Sequence, residues 1–400
     1  MKKHDVFLLT LSVIVLLACS LPFLGGSPES SAVDVPEEVV EKVPAAVLTA
    51  VPSPTPDLSP VTVQVNADGS GDYATLHDAV AAVPAGSSIN LGAGVYTLPE
   101  TLKIEKTLSI LGVDPQQTII RGAVENGAII DFQGPGTFAF YNITIEDTGS
   151  DTGIGLLIED GEEIHVKNCR FNGGAIDEHT AGTGSGGIGL TVGGSTTGVI
   201  EQCEFFNQQI AGFAGKDQSN VALVSNHSHD NGVEGMGFID QSKGEMLYNQ
   251  VSNNVQFGVT VQNQASIKAH ETDCWGNKAS GFGLADDTTA ELTSNRIEKN
   301  GEAGIHIYGN ATALIEGNLI SGNGIHGLEM REQCRVEIKG NVIQNNKQIG
   351  VWYQNTAEGP LEENTIFGNG WGIVIEATAH AQMWGNSVSG NTEKDIWDKR

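Results

Sequence analysis

The sequence predicts an all-β solenoid of short parallel strands, stacked in coils of about 23 residues behind a short N-terminal cap helix. Three observations carry this. First, three residue columns recur in phase along the second half of the chain. Asparagine recurs at Asn226, Asn249, Asn295, Asn318, Asn341, Asn364 and Asn386, with Thr272 filling the wide step. A second column runs Asn231, Asn254, Asn277, Asn300, Asn323, Asn346, Asn369 and Asn391, and a glycine column runs Gly212, Gly235, Gly258, Gly281, Gly304, Gly327, Gly350 and Gly372. A fixed period of this length is the signature of a repeat architecture. Second, each column glycine is followed by alternation, as in Ile305 and Ile307 or Val351 and Tyr353, and period two means strand. Third, no helical pattern is long enough to return the chain between units, so consecutive units must stack as parallel strands.

Within a unit, a core position lies two residues past the first asparagine column: Phe205, Val251, Cys274, Ile297, Ile320, Ile343, Ile366 and Val388. A further short strand precedes that column, as in Val336-Glu337-Ile338. Each coil is therefore three short strands separated by Asn and Gly turns. The column asparagines are expected to supply left-handed turn geometry and side-chain bonds to the next coil's amides, stacking as internal ladders. The segment from Thr75 to Val83 reads as an amphipathic cap helix, with Leu76, Ala79, Val80 and Val83 on one stripe.

Composition agrees. Glycine makes up 51 of 400 residues, nearly twice the usual share of roughly 7%. Apolar residues at 39% suffice for a core, and charged residues at 18% are too few for a disordered polyelectrolyte. The net charge of −28 excludes nucleic acid as a partner, because phosphate binding needs clustered Lys and Arg.

Four segments follow in order. Residues 1–18 form a leader: Lys2 and Lys3 precede an apolar run from Val6 to Ala18, too short to span a bilayer as a mature helix. It ends in Leu16-Leu17-Ala18-Cys19, which resembles the lipobox of bacterial lipoproteins. That resemblance implies lipid attachment at Cys19 and a place in the bacterial cell envelope, facing outside or the periplasm. Residues 19–60 read as a proline-rich tether, with Pro28, Pro36, Pro44, Pro52, Pro54, Pro56 and Pro60, expected to stay extended and semi-stiff. Residues 61–125 hold the cap and first coils, and residues 126–400 the remaining coils.

From about residue 61 onward the repeats resemble the right-handed parallel β-helix of the pectin-lyase-like superfamily. The stretch Ala67-Asp68-Gly69-Ser70-Gly71-Asp72-Tyr73-Ala74-Thr75-Leu76, with Ala79-Val80, resembles the opening of pectin methylesterases; Gly92-Ala93-Gly94-Val95-Tyr96, Leu108-Ser109-Ile110-Leu111-Gly112 and Thr118-Ile119-Ile120 continue it. The superfamily holds lyases, hydrolases, esterases and epimerases of polysaccharides together with non-enzymatic surface and periplasmic proteins. The esterases' catalytic stretches do not carry over. Where they have Gln-Ala-Val this chain reads Gly153-Ile154-Gly155-Leu156, and where they have an acid before Phe-Ile-Phe-Gly it reads Ala211-Gly212-Phe213-Ala214-Gly215. Without both carboxylates that ester chemistry lacks its nucleophile and proton shuttle. Asp286-Asp287 is present, but not the Gly-His-Gly and Arg-Ile-Lys motifs of polygalacturonases. Zinc spacing is absent, since Cys169, Cys203, Cys274 and Cys334 lie far apart. Cys169 and Cys203, on neighbouring coils, either pack or oxidise.

The second and fourth residues after each column glycine are expected to face outward. On three consecutive coils these are His306 and Tyr308, Glu329 and Arg331, and Trp352 and Gln354, followed by Glu376. We assign His306, Tyr308, Glu329 and Arg331 as candidate catalytic residues. Histidine or tyrosine can move a proton, glutamate can serve as an acid or orient its neighbour, and arginine can clamp a carboxylate. Trp352, Gln354 and Glu376 are candidate substrate-binding residues, through stacking on a sugar ring and bonds to hydroxyls. The competing reading is cross-coil pairing on a solvated sheet. A turn column of Asp217, Asp240, Asn263, Asp286, Glu332 and Asn355 offers hard oxygen ligands for calcium, or simply caps stacked turns. A loop between Gly173 and Gly187, containing Asp177, Glu178 and His179, could overhang the outward face. No other cofactor or metal is expected, and the chain is expected to be monomeric.

Two function classes stay open: an anchored protein that binds a polysaccharide and cleaves or modifies it, and a non-catalytic scaffold or accessory protein that binds glycan or protein. The anchor is directly testable. Replacing Cys19 with Ser should release the chain from membranes on fractionation, and undiminished membrane association would refute it.

Overall fold

The computed structural model describes residues 59–123, 127–149, 153–173 and 187–400. The leader, Cys19, nearly all of the tether, and Asp177, Glu178 and His179 lie outside the described residues. Pro60–Arg400 is one compact unit.

Three parallel sheets run the length of this unit. Sheet 1 begins with Thr62–Val65 and has fourteen strands; sheet 2 begins with Gly94–Leu98 and sheet 3 with Leu102–Ile104, each with thirteen. The first strand pairs with the next, Ser87–Leu91; from there the chain visits the sheets in the order 1, 2, 3 and rises to the next coil, so each strand pairs with the strand three places on. The register follows the sequence period: Ile305 pairs with Leu328, and Leu328 with Val351. At the spacing of adjacent strands, about 4.8 Å, thirteen steps give a solenoid about 60 Å long. Among the described residues there is a single helix, Leu76–Ala82, and no helix long and apolar enough to cross a membrane. Thr75 caps it: its hydroxyl oxygen accepts from the Asp78 amide at 3.1 Å and its O–H donates to the Asp78 carboxylate at 2.7 Å. Leu76, Ala79 and Val80 are buried, as the apolar stripe requires, and cover the core at the first coil.

The core changes character along the axis. Its first part is built on stacked rings, Phe132 on Phe138 and Phe171 on Phe205, and later coils use Ile297, Ile320, Ile343 and Ile366 in one column. Beside the apolar columns run the two asparagine ladders, all of whose members from Asn226 to Asn369 are buried. At Asn318, Nδ2 donates to the Leu292 carbonyl at 2.8 Å and to Asn341 Oδ1 at 3.0 Å, while the backbone N–H donates to the same Oδ1 at 2.8 Å. Asn341 repeats the pattern onto Ile315 and Asn364. Each side chain thus bonds back to the coil before, donating to a carbonyl there and accepting the turn amide, and donates forward to the next asparagine of its ladder.

The ladder residues do not themselves adopt left-handed backbone, contrary to the expectation above. The residue just before each does: Ser225 (φ 54°), Tyr248 (φ 58°) and Glu271 (φ 45°) before the first column, Asp230, Asn253 and Lys299 before the second. The asparagine is needed for its amide, and the strained dihedral falls on its neighbour, where few side chains are excluded by contacts. The glycine column has another cause. A Cβ on Gly327 would stand 2.5 Å from the Gly350 carbonyl oxygen and 2.8 Å from the Ile343 side chain. Gly304 and Gly350 face the same crowding from the next coil, so the stack leaves no room for a side chain there.

Cys169 and Cys203 are free and buried, with thiols against carbonyls: Cys169 donates to Lys167 O at 3.2 Å and Cys203 to Glu201 O at 3.3 Å. Cys203 occupies the ladder position before Asn226, and its amide donates to Asn226 Oδ1. The turn column also acts on backbone. Asp217 accepts from the Gly194 amide, Asp286 from that of Asn263, Glu332 from that of Gly309 and Asn355 from that of Glu332. Stacked capping accounts for the column.

Replacing Asn318 or Asn341 with Ala should leave buried turn groups unpaired and lower unfolding free energy by about 1–3 kcal/mol. Asn310→Ala, on the exposed turn, should stay within about 0.5 kcal/mol of the parent. Equal denaturation midpoints for all three would refute the ladder's role.

Candidate functional site

Sheet 3 carries the candidate site. Its register places Thr191, Ala214, Gly237, Thr260, Gly283, His306, Glu329, Trp352, Val374 and Trp397 in one outward column. The first half of this column is small or weakly polar. From His306 onward its side chains are large and polar or aromatic, Val374 apart, and the seven residues expected from the sequence fall into two groups, one around Glu329 and one of Trp352 with Glu376.

Glu329 is the hub. Its Oε1 accepts from Arg331 Nε at 2.9 Å, Arg331 Nη2 at 2.7 Å and Gln354 Nε2 at 2.8 Å. Its Oε2 lies 4.0 Å from His306 Nε2, beyond hydrogen-bond reach. The Tyr308 ring is tilted against His306 with centroids 5.2 Å apart. Trp352 Nε1 points at Glu376 Oε1, 3.4 Å away, and Glu376 also accepts from Lys399 Nζ at 2.7 Å.

Outward position does not mean full exposure here. His306 is 4% exposed and Glu329 7%, covered by neighbours on the same face, whereas Tyr308, Arg331, Trp352, Gln354 and Glu376 are half-buried. This burial sets protonation. Burial pushes the Glu329 carboxyl up, but the charges of His306, Arg331 and His326 and the Arg331 hydrogen bond together hold it below its ordinary value. Burial, with Arg331 adding to it, pulls His306 down against the opposing pull of Glu329. Near neutral pH the site therefore holds an ionised Glu329 paired with Arg331, beside a neutral imidazole.

The structure adds four residues that the alternation rule misses. His326 is 5% exposed and meets Trp352 edge-on, with ring centroids 4.9 Å apart. Burial is the main cause that brings its pKa to about 4. Trp371 stacks on Trp397 at 4.8 Å, and Lys399 Nζ sits 4.2 Å above the Trp397 ring. His326 and Trp371 both immediately precede a column glycine. A Cβ on that glycine would point at core atoms, and the next residue is core as well, so two successive positions face inward and the alternation breaks. The residue before the glycine is thereby returned to the outer face. Glu234 holds the same position on an earlier coil, where it is buried, accepts from the Thr260 hydroxyl and has its pKa raised by burial.

His306 Nε2 and His326 Nδ1 are buried without a hydrogen-bond partner among the described residues. The arrangement thus offers two neutral imidazoles, an ionised carboxylate with its guanidinium, and an aromatic strip of Trp352, Trp371 and Trp397 on one open sheet face. Among the described residues, the one group of three or more clustered metal-ligating side chains lies elsewhere, not on this face.

Known proteins match at three levels. Pectinesterase 31 of Arabidopsis thaliana is 27% identical over 162 residues, 38% of this chain, and the match spans 43% of that enzyme's length. Among solved structures, the periplasmic alginate epimerase AlgG superposes with a TM-score of 0.61 at 17% identity, covering 81% of this chain and 83% of that one. The A-module of the Azotobacter vinelandii mannuronan C-5 epimerase AlgE4 gives 0.55 at 16%, covering 80% and 90%. The catalytic unit of a GH87 alpha-1,3-glucanase from Streptomyces thermodiastaticus gives 0.59 at 15%, covering 80% and 66%. At these identities the likeness is one of fold. The family described as the right handed beta helix region matches residues 116–274 and 262–393, most of the solenoid, and this chain belongs to that family.

Proposed function

We propose that the chain binds a polysaccharide laid along sheet 3 across the coils of His306 to Trp397, held at a bacterial cell envelope by lipid on Cys19. The aromatic strip beside a polar hub carries this reading. Trp352 and the face of Trp371 turned away from Trp397 offer aromatic surface for sugars, with Glu376 beside Trp352 and with Arg331 and Gln354 held on Glu329 of the neighbouring coil for hydroxyls. The solved structures of similar fold include enzymes whose names give alginate, mannuronan and alpha-1,3-glucan as substrates, which supports the substrate class.

Charge selects among glycans. Glu329 already neutralises Arg331, and the chain as a whole carries −28. A polyanion meets repulsion with no free guanidinium to offset it, so a neutral or weakly acidic glycan fits best. Trp352→Ala should weaken binding about tenfold or more, the scale of an aromatic anchor. Lys216→Ala, on an earlier coil of the same sheet, should leave affinity unchanged in a polysaccharide panel. Equal binding by the two variants would sink this reading.

The partnerless nitrogens of His306 and His326 favour a second reading, in which the bound sugar also undergoes proton transfer. His326 as the base should give a rate that holds through neutral pH and falls as the pH drops through about 4. His326→Gln should then abolish new chain ends or altered sugars while retaining binding; turnover by that variant at the parent rate would leave binding alone.

A further inference from the structure

Sheet 2 presents a different cluster, on residues that the glycan face does not use. Glu204 and His227 are directly paired on adjacent coils, and His229 lies two residues beyond His227 on the same side of its strand. Their ligand atoms all lie within 4.8 Å of one another. The imidazoles of His227 and His229 have centroids 4.2 Å apart, and His229 Nε2 stands 3.2 Å from Glu204 Oε1.

Each side chain is held by a partner outside the trio. His229 Nδ1 lies 2.7 Å from Asp230 Oδ2, and its ring stacks on Phe206 at 5.5 Å. His227 Nε2 lies 3.3 Å from Ser252 Oγ, with Trp275 stacked 6.3 Å away. Arg170 Nε donates to Glu204 Oε2 at 2.5 Å, which leaves Oε1 directed at His229. In the tautomer a ligating His229 must adopt, Nδ1–H donates to Asp230 and the Nε2 lone pair turns onto that Oε1. Two acceptors then face one another across 3.2 Å. A shared ion about 2.0–2.2 Å from each atom would leave about that separation at a near-tetrahedral angle.

We propose that Glu204, His227 and His229 bind a divalent first-row transition cation such as Zn²⁺, with solvent completing its shell. Two imidazoles and one carboxylate suit such ions better than calcium or magnesium, which prefer oxygen alone. The carboxylate on His229 is the outer-shell partner that orients a ligating histidine and raises its basicity. Protonation states agree. Burial pushes Glu204 up, but the Arg170 hydrogen bond and charge help bring it below its ordinary value, which keeps it a carboxylate; burial pulls His227 down. The surplus of acidic residues over the whole chain draws cations toward it.

The full chain, stripped with EDTA, is titrated with Zn²⁺ near neutral pH by calorimetry and equilibrium dialysis. One saturable equivalent is expected, lost in both His227→Gln and His229→Gln, and kept in His270→Gln on sheet 1. Asp230→Asn should weaken it about 10–100-fold. Zinc should raise the melting temperature of the parent and not of the two ligand variants, and acidification should release it as the imidazoles take up protons. Should His229→Gln fail to fold, His227→Gln decides alone. Absence of saturable binding, equal binding by the ligand variants, or displacement by equimolar calcium would overturn the proposal and make the trio an ordinary ion-pair ladder.

Discussion

A buried turn must hand its amide to something, and in this solenoid the only thing within reach is the next coil. The two asparagine ladders solve that problem with one side chain per turn. Asn318 Nδ2 satisfies the Leu292 carbonyl, and Asn341 Oδ1 takes both the backbone and side-chain N–H of Asn318. The period of the sequence follows from this, because an asparagine displaced by one residue would aim at nothing. The chain shows where slack is allowed. The step from Gly350 to Gly372 is one residue short, and the missing residue falls in the turn ahead of the glycine. The ladder continues undisturbed, with the Asn364 amide on Asn386 Oδ1 at 2.9 Å.

The coils were legible in the sequence because ladder, glycine and core columns answer to the same stacking and so keep the same period. Three short strands per coil and the seven outward candidates follow from that period and from strand alternation, and the cap helix from its own apolar stripe. The site residues that escaped did so for local reasons. His326 and Trp371 sit where two successive inward positions break the alternation, and only the crowding around the column glycine reveals the break. The burial of His306 and Glu329 depends on how neighbouring side chains lie along the face, which no periodicity encodes. Glu204, His227 and His229 stayed hidden because their strands follow the asparagine column, not the glycine whose alternation marks the outward face. Their proximity arises from the 23-residue register of a different sheet.

The same scaffold thus presents distinct chemistries on distinct faces. On sheet 3 a carboxylate is committed to arginine and glutamine while two imidazoles stay neutral by burial. On sheet 2 the imidazoles are stacked, partly open and bracketed by acids. Neither arrangement disturbs the core, since outward side chains can change without touching the ladders that set the coil. A parallel solenoid separates function from stability more cleanly than a globular domain, in which a site residue often shares contacts with the core.

The constant register also bears on how such a chain finds its fold. Partner strands in most coils are separated by the same 23 residues, whatever the total number of coils. The loop that must close before each new pairing therefore never grows, and relative contact order falls as coils are added. Duplicating one coil would lengthen the molecule by a single strand spacing and present the copied outward residues in the same columns. Growth by duplication is then kinetically neutral, and a longer recognition surface needs no new solution to the folding problem.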